Sequence, residues 1–307
     1  MKILVTGGTG FIGQHLVAAL IKSGHQVKVI ARSPQKAKKL EKKGAKVVIG
    51  DLGDNQFLKK ELTGMEAVYH LAAISGQLWG ISWEEYERVN VTYTKNLLKA
   101  SLERKIKRFI FCSSIQAADP STFYGRSKLQ SEKAAQRSGL NYTIVRPAVV
   151  YGPGEARSFL RISRFVRRGF FPLPDGGKSR FAIVYIDDLV DLFLKCLGPK
   201  AKKKMFWGIG TEVPFKKYVK MISDELGAPC LIISAPALFL KAVAVPFEFL
   251  AQVLGVQPLL SRVQIDFMTT DWYFERSQDE KKFWQPKVKL ETGIKKTISW
   301  YQKEGLL

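Results

Sequence analysis

The chain has 307 residues, 46% of them hydrophobic and 25% charged, which excludes a disordered or low-complexity protein and allows one large domain with a smaller appended lobe. Its 49 Lys and Arg against 27 Asp and Glu leave a net charge of +22, a bias that favours phosphate-bearing ligands or an anionic membrane as partners. Three cysteines without a CxxC pair fit a reducing compartment rather than a disulfide framework, and three scattered histidines imply no metal.

The basic residues are spread over Lys36–Lys43, Arg157–Arg168 and Lys200–Lys204 among helix-forming neighbours, so most of them read as solvated helix surface. Charge alone supports nucleic-acid binding, with no recognition motif beside it, so no nucleic acid is expected. The start, MKILVTGG, lacks a basic segment followed by a long apolar one, so no secretory signal is expected and the chain is placed in the cytoplasm.

In chain order, short apolar runs predict strands at Lys2–Thr6, Gln26–Ile30, Lys46–Ile49, Ala67–Leu71, Arg108–Cys112 and Tyr142–Val145, separated by amphipathic stretches. FIGQHLVAALIKSG predicts a helix whose stripe is Ile12, Leu16, Ala19 and Leu20, with Gly24 at its C-terminal end. A second long helix is predicted over Trp83–Glu103. Residues 1–150 thus read as an α/β domain, a doubly wound parallel sheet of Rossmann type. Beyond 150 the rhythm changes. A basic helix at Arg157–Arg168 runs into a Gly/Pro-rich loop, GFFPLPDGGKSR, and then come strand-like FAIVYI, helix-like DDLVDLFLKCL and mixed helices. Residues 151–307 read as a smaller, mostly helical substrate lobe, with 181–198 packing back on the first domain.

The sharpest motif is TGGTGFIG at 6–13, between the first strand and the first helix. Gly7 allows a tight turn, Gly10 lets backbone approach a pyrophosphate, and Gly13 lets the helix pack on the strand. The helix start, at Phe11 and Ile12, offers unpaired N–H groups to phosphate. The second strand ends Val29-Ile30-Ala31-Arg32. Arg32 stands where an acidic residue would take ribose hydroxyls, and a guanidinium there suits a 2′-phosphate. Lys36 either adds to that charge or is a solvated helix residue. NADP(H) is therefore favoured, with NAD(H) as the alternative. Asp51, before Leu52, either accepts from the adenine amino group or caps the next helix.

After the strand Phe109–Cys112 come Ser113 and Ser114, and then Tyr124-Gly-Arg-Ser-Lys128 opens a helix. Tyr124 and Lys128, four apart, share a face, where an ammonium stabilises phenolate. With a hydroxyl from the preceding strand, this set supplies a general acid/base for hydride transfer.

On these motifs, together with HLAA at 70–73, VNVTYTKNLL at 89–98, RPAVVYGPG at 146–154 and YIDDL at 185–189, the chain resembles the extended short-chain dehydrogenase/reductase superfamily (NAD-dependent epimerase/dehydratase type) over nearly its whole length. The resemblance implies Ser114 as the catalytic hydroxyl, Tyr124 as acid/base and Lys128 as its helper and ribose ligand. It implies that Leu71, Ala72 and Ala73 line the cofactor, that Asn90 lies near it, and that Pro147 to Val150 touch the nicotinamide. The C-terminal part is similar to 3β-hydroxysteroid dehydrogenase, sterol-carboxylate dehydrogenase and dihydroflavonol-reductase relatives, through segments 258–284 and 290–307. Only ten positions separate Ser114 from Tyr124, shorter than in many members, which reshapes one wall of the pocket.

The leading expectation is an enzyme interconverting a secondary alcohol and a ketone on an apolar, sterol-like small molecule. The alternatives are a nucleotide-sugar epimerase or dehydratase, with Arg157, Arg161 or Arg164 against a diphosphate, and a nucleotide-sensing protein without turnover. A homodimer is a further expectation. Segment 231–260, LIISAPALFLKAVAVPFEFLAQVLGVQPLL, is the most apolar stretch. Pro236, Pro246, Lys241 and Glu248 argue against its spanning a bilayer. It reads either as a pair of core helices or as an apolar surface element at the inner face of an anionic membrane.

Overall fold

The first strand shows how the core is divided. In β1 (Lys2–Thr6), Ile3 and Val5 point to one side of the sheet and Leu4 to the other, and all three are fully buried. A strand buried on both faces needs helices on both faces, which the alternating pattern supplies. The computed structural model describes residues 1–307. Its first half runs α1 (Phe11–Lys22), β2 (Gln26–Ala31), α2 (Pro34–Glu41), β3 (Lys46–Ile49), α3 (Asn55–Leu62) and β4 (Ala67–His70). There follow α4 (Trp83–Tyr86), a π-helical turn (Glu87–Thr92), α5 (Tyr93–Glu103), β5 (Arg108–Cys112), α6 (Phe123–Arg137) and β6 (Tyr142–Pro147).

The predicted strands are all present, and they pair in parallel in the order β3-β2-β1-β4-β5-β6. The order reverses between β1 and β4, and in such sheets ligands bind at the carboxyl ends of the strands where this happens. The buried stripe of α1 is Gly13, Leu16, Val17 and Leu20, while Ile12 and Ala19 are half-buried. The helix ends as Gly24 leads one to expect: at φ +78° its N–H bonds the Ile21 carbonyl while His25 N–H bonds that of Leu20. The predicted Trp83–Glu103 helix is a single rod whose middle is the π-helical turn.

The second half comprises β7 (Val149–Tyr151), α7 (Ser158–Arg167), β8 (Phe170–Pro174), β9 (Arg180–Tyr185), α8 (Ile186–Lys195), β10 (Lys204–Gly208), β11 (Thr211–Pro214) and α9 (Phe215–Leu226). It continues with β12 (Leu231–Ala235), α10 (Ala237–Leu254), α11 (Arg262–Thr269), α12 (Gln278–Phe283) and α13 (Leu290–Lys303). β10 returns to the main sheet as its seventh strand, parallel to β6, and α8 packs against α1. The chain after 150 therefore builds part of the first layer as well as the lobe. Of the three buried clusters, the one with 46 residues runs from one face of the sheet through α8 into α7, α9 and α13, joining lobe and sheet in one core.

Two readings of the sequence need correction. GFFPLPDGGKSR is not only a loop: Phe170–Pro174 is a strand, parallel to β12. Its prolines hid it, and they are tolerated because the pair forms a sheet of only two strands, where a missing N–H breaks little of the ladder. Segment 231–260 is not a pair of core helices but a strand followed by one 18-residue helix with Pro246 inside it. Only Leu240, Ala244, Glu248 and Ala251 of that helix are buried, a narrow stripe at helical spacing resting against α11. The lysines at 36–43 and 200–204 are exposed, as a solvated surface requires.

Candidate active site

The glycine motif forms the turn between β1 and α1. Gly7 has φ +72°, and a Cβ there would lie 2.5 Å from the backbone nitrogen of Ala72. A Cβ on Gly13 would overlap the Gly7 carbonyl. Only glycines let the turn close this tightly against the end of β4. Gly10 is the N-cap of α1, in extended conformation with no side-chain cap, so no side chain occupies the first-turn N–H groups of Phe11, Ile12 and Gly13. That is the donor set and the positive dipole end an anionic diphosphate needs. Leu71, Ala72 and Ala73 lie half-buried across the crevice. Arg32 is exposed directly after β2. Asp51, also exposed, accepts from Gly53 N–H at 2.7 Å, and it is Asp54 that caps α3 through Gln56 N–H and Phe57 N–H. This removes the capping alternative for Asp51. The Leu52 side chain is buried in the second core cluster with Leu58 and Leu62. An uncapped helix start, a cradle closed to any Cβ and an exposed guanidinium past β2 together fit a phosphorylated dinucleotide.

The segment after β4 is held in place by side chains of the interrupted helix. Asn90 accepts from Ile74 N–H at 2.8 Å and donates to the Ile74 carbonyl and to Ser127 Oγ. Tyr86 OH donates to the Gly76 carbonyl and accepts from Leu78 N–H, both at 2.8 Å. Gln77 in turn accepts from Tyr124 N–H at 3.0 Å. Asn90 lies in the π-helical turn, and its own carbonyl receives the hydroxyls of Thr94 and Ser131. Such turns recur at functional sites.

Tyr124 and Lys128 are both buried on α6. Burial pushes the Tyr124 phenol above its ordinary value, while the nearby Ser114 hydroxyl and the Gly76 backbone act in the opposite direction. The short Ser114–Tyr124 connection, which contains a 3-10 turn at Ile115–Ala118, leaves both residues lining one cavity. Lys128, only 3% exposed, donates to the Cys112 carbonyl at 2.6 Å and lies 4.5 Å over the Phe111 ring. Burial lowers its ammonium from the usual lysine range, and its charge is felt at Cys112 and His70. Ser113 belongs to the support, donating to Glu132, which also holds Arg146 through two bonds of 2.6 and 2.8 Å.

Ser114 and Tyr124 line a cavity of about 550 Å³. Its walls come from the lobe: Phe159 and Ile162 of α7, Phe171 of β8, Phe181 of β9, Phe215 and Tyr218 of α9, Val263 and Phe267 of α11, and Trp272. Ala148, Val149 and Val150 line it, whereas Pro147 is buried within β6. Of the three arginines singled out for an anion, Arg157 and Arg161 line the cavity. Arg157 reaches across to Ser75 Oγ at 2.8 Å, while Arg164 points away to the Leu306 carbonyl.

Sequence reading did not find Tyr86, Gln77, Glu132 or Arg146, which work through partners distant in the chain. It also missed the role of His70. Thr94 donates its hydroxyl to the Asn90 carbonyl, so it accepts from His70 Nε2 (2.7 Å), and Nδ1 therefore accepts from Thr6 Oγ1 (2.6 Å). This network requires a neutral ring, and burial lowers the His70 pKa to about 3.

The NAD dependent epimerase/dehydratase family model matches residues 3–207. The chain is 28% identical to 2-alkyl-3-oxoalkanoate reductase of Stenotrophomonas maltophilia, across 96% of this chain and 98% of that protein. It is 29% identical to UDP-glucose 4-epimerase of Vibrio cholerae, across 96% and 94%. Among solved structures, UDP-glucuronic acid 4-epimerase from Bacillus cereus, in complex with UDP-glucuronic acid and NAD, matches with a TM-score of 0.77 at 22% identity, covering 99% of this chain and all of the other. That is a likeness of fold.

His70 sets a pH dependence of stability. Below its unfolded value of 6.5 the free ring takes up a proton that the folded ring refuses down to about pH 3, so stability falls as pH falls through that window. The stability advantage of wild type over His70→Asn, from urea unfolding, should shrink by about 2 kcal/mol between pH 7 and pH 5. A difference that stays constant with pH would show that His70 takes up its proton in the fold as readily as in the unfolded chain.

Proposed function

The chain belongs to the NAD dependent epimerase/dehydratase family, within the extended short-chain dehydrogenase/reductase superfamily, and is an NAD-dependent enzyme; on that premise we propose that it interconverts a ketone and a secondary alcohol on a largely apolar substrate. The observation that carries this reading is that Ser114 and Tyr124 line one cavity with a large apolar share of wall, including Phe159, Ile162, Phe171, Phe181, Phe267 and Trp272, of a size suited to a small molecule. When bound, the dinucleotide supplies or takes up the hydride at the substrate carbon. Tyr124 holds the proton that moves to or from the substrate oxygen, and Ser114 hydrogen-bonds that oxygen and orients it. Lys128 favours the phenolate and holds the nicotinamide ribose; Asn90 and Tyr86 position the 71–78 segment beside it. Gly7, Gly10 and Gly13 admit the pyrophosphate, Asp51 receives the adenine, and Arg32 receives a 2′-phosphate, so NADP(H) is preferred.

The second reading, a nucleotide-sugar epimerase, is favoured by the Vibrio cholerae relative. A diphosphate needs several cations together, and here Arg157 is engaged with Ser75 and Arg164 with Leu306. The Stenotrophomonas relative, a reductase of 2-alkyl-3-oxoalkanoates by name, agrees better with the apolar walls.

The outer surface of α10 supports peripheral contact with an anionic bilayer. It is the one helix long and apolar enough to cross a membrane, but its charges serve the fold: Lys241 pairs with Asp266, and buried Glu248 pairs with Arg262. That leaves an outward face of Leu238, Phe239, Val245, Phe249, Leu250 and Val253, with Leu238 80% and Phe249 68% exposed. Such a helix lies in the headgroup plane rather than across the bilayer. Exposed Arg167 and Arg168 precede Phe170, whose strand pairs with β12 leading into α10, and the whole protein carries +22, so the face suits anionic lipid. Leu259 and Leu260, just past α10, line the cavity, which opens a route for a lipid-dissolved substrate.

Four measurements test these proposals. Tyr124→Phe should reduce turnover at least a hundredfold while leaving dinucleotide affinity nearly intact, and Lys128→Ala should weaken both; wild-type turnover in Tyr124→Phe removes the assignment. A panel of apolar ketones, sterols and nucleotide sugars, scored by nicotinamide absorbance, separates the two enzyme readings. Dissociation constants should favour NADP(H), and Arg32→Asp should shift the ratio toward NAD(H); a wild-type preference for NAD(H) refutes the 2′-phosphate site. Wild type should co-sediment at low salt with phosphatidylglycerol-rich vesicles, while Phe239→Glu/Phe249→Glu should stay in the supernatant with unchanged melting temperature; wild type in the supernatant removes the membrane contact.

A further inference from the structure

Neither of the two arginines that line the cavity is ion-paired, and while Arg157 is held by Ser75, Arg161 has no side-chain hydrogen bond at all. Arg161 is on α7, half-buried in the cavity wall among Phe159, Ile162 and Phe165. No side-chain hydrogen bond or ion pair engages its guanidinium, although the largely buried Arg146 holds the Glu132 carboxylate by two bonds. The carboxylate nearest to it is already used. Glu155 Oε1 accepts from Arg157 N–H and Ser158 N–H, and Oε2 accepts from Phe159 N–H, Leu160 N–H and the Tyr301 hydroxyl. Glu155 therefore satisfies the start of α7 and leaves Arg161 unneutralised. Burial depresses the guanidinium below its ordinary range, with Glu155 only partly offsetting it.

A partly desolvated cation without a partner is a standing cost to the fold. An arginine presents donors in a rigid planar fork matched to a carboxylate. We propose that Arg161 is an anion-binding residue of the cavity and that the substrate is an amphiphile, a ketone or secondary alcohol bearing apolar chain and one carboxylate. The apolar walls take the chain, Arg161 takes the carboxylate, and the oxygen to be protonated lies at Tyr124. One open arginine suits a single carboxylate rather than a diphosphate. This inference rests on the cavity being the substrate site and names the class of molecule it admits.

The test separates binding from turnover. Calorimetric titration of the full chain with decanoate and with methyl decanoate compares the same alkyl chain with and without the charge. Wild type should bind decanoate ten- to a hundredfold more tightly, the range of a charge-assisted hydrogen-bonded pair. In Arg161→Gln the ratio should collapse to near one, and Arg161→Lys should restore part of it. Because the guanidinium has no partner in the free protein, Arg161→Gln should melt no lower than wild type; a drop in melting temperature together with an unchanged ratio would mark Arg161 as structural and overturn the proposal. Equal wild-type affinity for acid and ester would overturn it as well. The preference for decanoate is measured without catalysis, so failure of every keto acid to turn over would count against the reductase reading and leave the anion site standing.

Discussion

The contact on which the site depends is between two stretches of backbone. Gly7 rests against the peptide joining Leu71 and Ala72, with no room for a Cβ between them. This approach brings the ends of β1 and β4 together where the strand order reverses, and it sets the distance between the first turn of α1 and the 71–78 segment. From there a chain of hydrogen bonds runs outward. Thr6 Oγ1 takes the Ala72 N–H and joins His70, His70 joins Thr94, Thr94 joins the Asn90 carbonyl, and the Asn90 side chain joins Ile74 and Ser127. Ser127 lies one residue before Lys128 on α6, so the glycine turn and the helix that carries Tyr124 and Lys128 belong to one polar framework. Each member is satisfied by the next, which makes such a buried network rigid rather than costly.

Two buried or half-buried cations show how differently the protein treats charge. Lys128 is accommodated by a backbone carbonyl and an aromatic face, without a direct carboxylate bond. Arg161 is given no partner. The nearby carboxylates are committed elsewhere, Glu132 to Ser113 and Arg146, Glu155 to the start of α7 and to Tyr301. Stability alone would have paired or removed both cations. Arg161 is retained in a cavity that Ser114 and Tyr124 also line, the trade expected where a site must meet a ligand.

The lobe follows from the same economy of burial. The two-stranded β8–β12 sheet, α7, α9 and α11 turn their aromatic faces inward to wall the cavity, and α13 covers α9 from outside. Once α11 has covered its narrow stripe, α10 has nothing further to pack against. Its apolar outer face is therefore a property of the surface, next to the residues that open into the cavity.

The amino-acid sequence by itself determined the elements and the chemistry of the first domain. The six strands from β1 to β6, the glycine turn, and the helix carrying Tyr124 and Lys128 are local patterns, set by short apolar runs, by i,i+4 spacing and by the need for φ > 0 at Gly7, all read within a few residues. Tertiary structure alone decided the rest. The Thr6–His70 bond closes a separation of 64 residues and the Arg157–Ser75 bond one of 82. The strand at Phe170–Pro174 exists because Leu231–Ala235 comes to lie beside it. Arg161 is unpaired because Glu155 has spent its oxygens on its own helix and on Tyr301, far along the chain. Which polar group is satisfied, and which apolar face stays uncovered, depends on partners that periodicity cannot name, because only the packed chain brings them within bonding distance.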